Sequence, residues 1–169
     1  MTTRSQSDAA SAMADAATDL LAGLSADQRA RACWPFPSDE ERRRWFYTPT
    51  DHGGLPLAAM DSKQHRLVHR LLAAALSRAG YVTAAVIMAQ ENILDEFEGF
   101  SVDFERDRGR DPMLYWVAVF GDPSLDRRWS WRFGGHHLSL HFTIDGGRVA
   151  AVTPCFMGAD PAASPLLGP

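Results

Sequence analysis

The spacing of apolar residues divides the chain into a helical first part and a β-rich second part. Up to about residue 98, apolar positions recur every three or four residues, as on the buried face of a helix. After Pro112 they recur at every second residue or run without interruption, as in strands. The pattern predicts an α+β domain in which four to five N-terminal helices pack on a C-terminal antiparallel β-meander of about four strands.

Two of the predicted helices have boundaries or faces that can be tested. The helix predicted in the stretch KQHRLVHRLLAAALSRAG should have Asp61 or Ser62 as its N-cap and should end at Gly80. The last should cover about 83–98 and pack through a set of apolar residues: Val86, Ile87, Ile93, Leu94 and Phe97.

The same pattern predicts the domain organisation. Residues 1–19 form a flexible or helical segment that is rich in alanine, and residues 20–158 form a single α+β domain. Residues 159–169 resemble a linker, because they are rich in Ala and Pro and show no periodicity. This tail leads us to expect that the chain is part of a longer protein.

Composition excludes several classes of partner and location. The formal charge is −4 and the basic clusters are interleaved with acids, so we expect neither nucleic-acid binding nor attraction to an anionic membrane. Cys33 and Cys155 stand in no metal-binding or redox spacing. The N-terminus has no export signal and no apolar run is long enough to cross a membrane, so we expect a cytoplasmic protein.

Half of the six histidines lie in one stretch, WSWRFGGHHLSLHF, over 129–142. Two adjacent glycines, Gly134 and Gly135, predict a two-residue hairpin turn there. Opposed residues of a hairpin share a face. One face is then apolar: Trp129, Trp131, Phe133, Leu138, Leu140 and Phe142. The other is polar: Arg128, Ser130, Arg132, His137, Ser139, His141 and Thr143.

This parity limits how the histidines could be used together. His137 and His141 would lie about 13 to 14 Å apart along one strand, too far to bind the same ion unless the strand is bulged. His136 would point to the aromatic side, away from His137, unless a bulge or strand end beside the glycines turns the two rings together. A half-exposed strand with its polar residues facing outward explains the stretch equally well.

The candidate site residues follow from these patterns. His136 and His137 are the predicted metal ligands or acid–base groups, and Arg132 is a cation that could bind an anionic substrate. Glu91, beside the core stripe of the last helix, is a candidate carboxylate ligand or general base, with a surface position as the alternative. His65 and His69, four residues apart on a helix, are more typical of the boundary between core and surface.

Several long stretches resemble the domain-of-unknown-function 3500 family. They include AGYVTAAVIMAQENILDEFEG, DPMLYWVAVFGDPS and WSWRFGGHHLSLHFTIDGGRVAAVTPCFMGADPA, and the resemblance runs from about residue 20 onward. It implies that this chain corresponds to the N-terminal half of the family's usual length. The other half of such proteins carries a further histidine-rich segment. His136, His137, Glu91 and Glu98 match family-like positions, whereas His141 stands where relatives would carry Asn.

Two functional hypotheses remain open. The first is a metal-dependent oxidoreductase or hydrolase that acts on a small molecule and uses iron, zinc or copper, with a site completed by a second half-domain or partner chain. The second is a non-catalytic binding or assembly module that docks another chain, or another copy of itself, through the polar face of the hairpin.

Overall fold

The computed structural model describes residues 5–163 and confirms an α+β fold. Its helices are α1 (Gln6–Ala22), α2 (Ala26–Ala32), α3 (Asp39–Arg43), α4 (Ser62–Ala75) and α5 (Arg78–Phe97). Its strands are β1 (Cys33–Trp34), β2 (Leu55–Pro56), β3 (Tyr115–Phe120), β4 (Trp129–Gly135), β5 (Leu138–Asp145), β6 (Arg148–Ala151) and β7 (Cys155–Met157).

The predicted meander forms the centre of a larger, mixed sheet. Strands β3, β4, β5 and β6 are antiparallel neighbours in that order, and β1 adds to β3 in parallel. The last predicted strand is divided by Pro154 into β6 and β7, which both pair with β5. Because β7 pairs with the start of β5, the chain returns to the β4–β5 turn just before residue 158.

One face of the sheet packs on α1 and α4 and forms the main core. All six residues of the predicted apolar hairpin face are buried there, as expected. The rings of Trp131 and Phe142 stack with centroids 4.7 Å apart, and the Trp131 indole N–H points at the Met13 sulfur at 3.4 Å. Helix α1 is therefore part of the same core as the segment that begins at residue 20.

The helix boundaries differ from expectation at Gly80. Helix α4 begins after its N-cap Asp61 but ends at Ala75, and α5 begins at Arg78. The Ser77 side chain accepts a hydrogen bond from the Gly80 backbone N–H and caps the new helix. Gly80 therefore lies in the first turn of α5. Its backbone N–H has no partner within the helix, and the Ser77 hydroxyl accepts its hydrogen bond.

The predicted core face of α5 was wrong in part. Val86 and Phe97 are 48% and 46% exposed, although Ile87 and Leu94 are buried as expected. The buried stripe repeats at helical spacing and contains two carboxylates: Ala84, Ile87, Met88, Glu91, Leu94 and Asp95. Apolar periodicity could not identify this face, because buried acids are stabilised by specific partners rather than by hydrophobicity.

The opposite face of the sheet is covered by the chain's own segment between α2 and α4. Arg132 donates hydrogen bonds to the backbone oxygens of Glu41, Arg44, His52 and Gly53, and to the Glu41 carboxylate at 2.6 Å. His52 stacks on Trp116 with ring centroids 5.4 Å apart. The middle of the hairpin's polar face, Ser130, Arg132, Ser139 and His141, is buried within the described chain, whereas Arg128 at its end is exposed.

Among residues 5–163, no helix has both the length and the apolar character needed to cross a bilayer.

A candidate metal centre at the β4–β5 turn

The β4–β5 hairpin turns at the two histidines instead of at the two glycines. Strand β4 runs through Gly135, which pairs with Leu138, so His136 and His137 form the two-residue connection. His137 has a positive φ of 56°, as one residue of a tight turn commonly requires. Strand β4 therefore ends two residues later than predicted and β5 begins two residues later, and this even shift leaves the core and polar faces of both strands unchanged.

Close packing explains both glycines, Gly135 against the start of β3 and Gly134 against β5. A Cβ atom on Gly135 would lie 2.6 Å from the Tyr115 ring and 2.7 Å from the Leu114 carbonyl oxygen. A Cβ atom on Gly134 would lie 2.8 Å from the Leu138 oxygen. The two glycines therefore lie within the strand because larger residues would collide with neighbouring backbone and ring atoms. The turn is formed by the next two residues, His136 and His137.

His136 is fixed by two buried contacts. Its Nδ1 atom lies 2.6 Å from the Glu91 Oε1 atom, and both side chains are less than a tenth exposed. The Tyr115 hydroxyl donates to the His136 backbone oxygen at 2.8 Å. When Nδ1 carries the proton that is shared with Glu91, the Nε2 lone pair is free to bind a metal ion, as in carboxylate–histidine–metal arrangements. Burial raises the pKa of the Tyr115 hydroxyl, which keeps it a donor.

His137 is positioned by hydrogen bonds of its backbone on both sides. Its N–H donates to the Tyr47 oxygen at 2.8 Å, and its carbonyl oxygen accepts from the Gly158 N–H at 2.8 Å. The two imidazole rings come together, with centroids 4.2 Å apart. Burial, followed by the neighbouring His136, lowers the pKa of His137, which favours the neutral imidazole that metal ions bind.

The segment after β7 brings Asp160 to the same point. One donor atom from each of His136, His137 and Asp160 lies within 4.8 Å of the other two. A tetrahedral zinc ion with bonds of about 2.0–2.1 Å needs donor atoms about 3.3 Å apart, so a small inward movement of these side chains would complete the geometry. Asp160 is exposed, whereas His136 is buried and hydrogen-bonded to Glu91.

A second ion pair lies beside these residues. The Arg110 guanidinium donates to both Glu98 carboxylate oxygens at 2.7 Å and lies over the Phe104 ring at 4.9 Å. Hydrogen bonding to Arg110 lowers the pKa of Glu98, and Glu98, Glu91 and Asp160 together raise the pKa of Arg110. The guanidinium is thus electrostatically coupled to the carboxylates around the histidine turn.

A small cavity opens between Glu91 and His136. Its volume is about 10 Å³, which is room for about one water molecule. Arg106 and Trp116 also line it, with the Arg106 guanidinium carbon 5.9 Å from the Trp116 ring centroid. The cavity lies directly against the buried histidine–glutamate pair and combines these polar groups with an otherwise mostly apolar lining.

The other residues singled out in the sequence lie apart from this cluster. Arg132 uses its guanidinium to hold the covering segment, as described above; its role in substrate binding stays a prediction. His141 is buried on the polar face, and burial together with the charge of Arg132 lowers its pKa to about 3. His65 contacts the Leu57 oxygen at 2.8 Å, and His69 contacts the Tyr81 hydroxyl at 3.1 Å.

The family assignment rests on a match over almost all of this structure. The family model described as "Protein of unknown function (DUF3500)" matches residues 6–168. The chain belongs to the DUF3500 family. The resemblance noted in the sequence is confirmed, and the DUF3500 match extends it to α1. No curated protein and no solved structure matches the chain.

Sequence reasoning identified three members of the cluster in this DUF3500 chain but missed Asp160. His136, His137 and Glu91 come together, whereas Asp160 had been assigned to a linker-like tail. Its position depends on the pairing of β7 with β5, a contact that leaves no periodic signal in three residues. The tail beyond residue 163 lies outside the described residues.

Proposed function

We propose that this chain binds one divalent metal ion through His136, His137 and Asp160 and is a metal-dependent enzyme. The observation that carries the proposal is the convergence of two imidazoles and a carboxylate within 4.8 Å. Two histidines and one carboxylate form the ligand set of catalytic zinc hydrolases and of non-haem iron oxygenases. Both reaction classes leave coordination positions open for water or substrate.

The surroundings support a cation at this point. Glu91, Glu98 and Asp160 all raise the pKa of Arg110, so three carboxylates act on this one guanidinium. A divalent ion would offset this excess of negative charge. Glu91 would then serve as the partner that orients His136 and strengthens its donor nitrogen, instead of binding the metal itself.

The metal would supply Lewis acidity or, if it is iron, a redox centre, and would act on a small-molecule substrate. The chain's own residues would hold the ion and shape its surroundings. Glu91 would retain the proton on His136 Nδ1, and the small cavity beside it would hold the polar end of a substrate or a water molecule. Three ligands from one chain meet the minimum for a catalytic site. A second half-domain or partner chain would complete the enclosure and the substrate pocket.

Cobalt titration of the metal-free chain tests this proposal. Visible absorption should report one Co²⁺ ion per chain in the wild type. His136→Ala, His137→Ala and Asp160→Asn should each weaken binding more than Glu91→Gln, for which the loss should be about 10–100-fold. Asp126→Asn, at an exposed aspartate away from the cluster, is the matched control and should bind as the wild type does.

Activity and assembly give the second part of the test. The zinc-loaded chain would be assayed for ester and phosphoester hydrolysis and the iron-loaded chain for oxygen consumption, so that the two reaction classes are separated. Unchanged cobalt binding in both histidine variants, with folding confirmed by circular dichroism, would contradict the proposal. A chain that binds no ion until a second half-domain is added would replace the three-ligand site by a composite one.

A further inference from the structure

A second cavity, separate from the histidine turn, lies on the polar face of the sheet. Its volume is about 140 Å³, room for several water molecules or a small solute. Residues of β4, β5, α3 and the β6–β7 connection line it, and those with polar side chains are Arg42, Arg43, Ser130, His141, Thr143 and Thr153. None of its lining residues within the described part of the chain is a carboxylate.

Two of these side chains are buried with unused hydrogen-bonding atoms. Ser130 is 3% exposed and His141 is 8% exposed. The Ser130 Oγ and His141 Nε2 atoms have no hydrogen-bond partner in residues 5–163. Buried polar atoms normally have partners, because leaving one unpaired costs free energy, so two such atoms in one cavity wall are suited to bind a polar molecule there.

The charge of the cavity wall indicates the kind of ligand. Arg42 and Arg43 both approach Asp39, at 2.6 and 3.8 Å, so one carboxylate is shared by two guanidinium groups. Arg43 is 72% exposed and stands where it can reach an incoming solute. Hydroxyl donors and an excess of guanidinium charge are the groups that bind oxyanions in proteins.

We propose that this cavity is a binding site for a small oxyanion, the phosphate or carboxylate group of a small molecule. The Ser130 hydroxyl would donate to an anion oxygen, and the side chain of Arg43 would close over it. His141 Nε2 would pair with a hydroxyl of the same molecule or with a protonated phosphate oxygen. The site does not depend on the proposed metal centre, since none of its lining residues belongs to that centre.

Calorimetric titration of the metal-free chain with inorganic phosphate and, separately, with succinate tests this site. The buffer would contain a chelator and constant ionic strength, so that neither anion acts through a bound metal. We expect saturable binding of at least one of the two, and the comparison identifies which oxyanion class is preferred. Ser130→Ala should weaken it about tenfold or more, the cost of a charge-assisted hydrogen bond.

Matched variants keep the result interpretable. Arg43→Gln, at a side chain that is 72% exposed, should weaken binding about threefold, as expected for an exposed ion pair. Arg31→Gln, at an exposed arginine of α2, and Ser139→Ala, at a buried serine that does not line the cavity, should leave affinity unchanged. His136→Ala should also bind normally, which separates this site from the metal centre. Absence of binding by both anions, or equal binding by Ser130→Ala, Arg43→Gln and the wild type, would overturn the proposal.

Discussion

At the residue scale, three histidines of one short stretch occupy three different environments. His136 is hydrogen-bonded to the buried Glu91, His137 lies half-buried at the turn, and His141 is enclosed on the sheet's polar face. The difference in surroundings gives each ring a different chemistry. The first two lie close enough together for the proposed metal ion, whereas burial and then the charge of Arg132 keep the third neutral.

The buried His141 should make the protein less stable in mild acid. Its pKa falls from an ordinary 6.5 in the unfolded chain to about 3 in the folded one. Below pH 6.5 the unfolded chain binds a proton at His141 that the folded chain does not bind. The contribution of His141 to folding stability is therefore complete above pH 6.5 and is lost as the pH falls toward 3. The loss reaches up to about 1.4 kcal/mol per pH unit.

Urea unfolding of His141→Asn at pH 7 and pH 5 checks this effect. The variant should lose about 2 kcal/mol less than the wild type over this interval. Ser139→Ala, a neutral change on the same strand, should alter stability equally at both pH values. Identical pH dependence in His141→Asn and the wild type would contradict the assigned environment.

At the scale of elements, the hairpin shows what alternation can and cannot determine. The apolar and polar faces of β4 and β5 were predictable, because side chains alternate and an even shift preserves the alternation. The position of the turn was not, since Gly135 is required by its close approach to Leu114 and Tyr115, which are distant in sequence. The buried face of α5 was predicted incorrectly at Glu91 for the same reason, because the partner that stabilises this buried carboxylate, His136, lies in another element.

Gly135→Ala should therefore destabilise the fold through overpacking, although the glycine does not form the turn. The added methyl group would collide with the Tyr115 ring and the Leu114 carbonyl oxygen, and the free energy of unfolding should fall by about 1–3 kcal/mol. Gly80→Ala, in the first turn of α5 with only ordinary contacts around its Cβ position, is the control and should be neutral or stabilising. Equal stability of the two variants in thermal unfolding would show that close packing does not explain Gly135.

At the scale of the whole molecule, the candidate metal centre is a product of tertiary folding. Helix α5 supplies Glu91, the β4–β5 turn supplies the two histidines, and the return of β7 supplies Asp160. The fold class could be predicted because it depends on local periodicity, and the family could be predicted because the resemblance extends over long stretches of sequence. The complete ligand set could not, because it depends on long-range strand pairing and on a buried carboxylate within an otherwise apolar stripe.

Anomalous diffraction from crystals of the zinc-saturated chain is the most direct measurement of this centre. We predict one peak at the β4–β5 turn, about 2.0–2.2 Å from one nitrogen each of His136 and His137 and from a carboxylate oxygen of Asp160. The Glu91 carboxylate should remain on the other nitrogen of His136. A zinc-saturated chain with no peak at this turn, or with its zinc bound at other residues, would contradict the account.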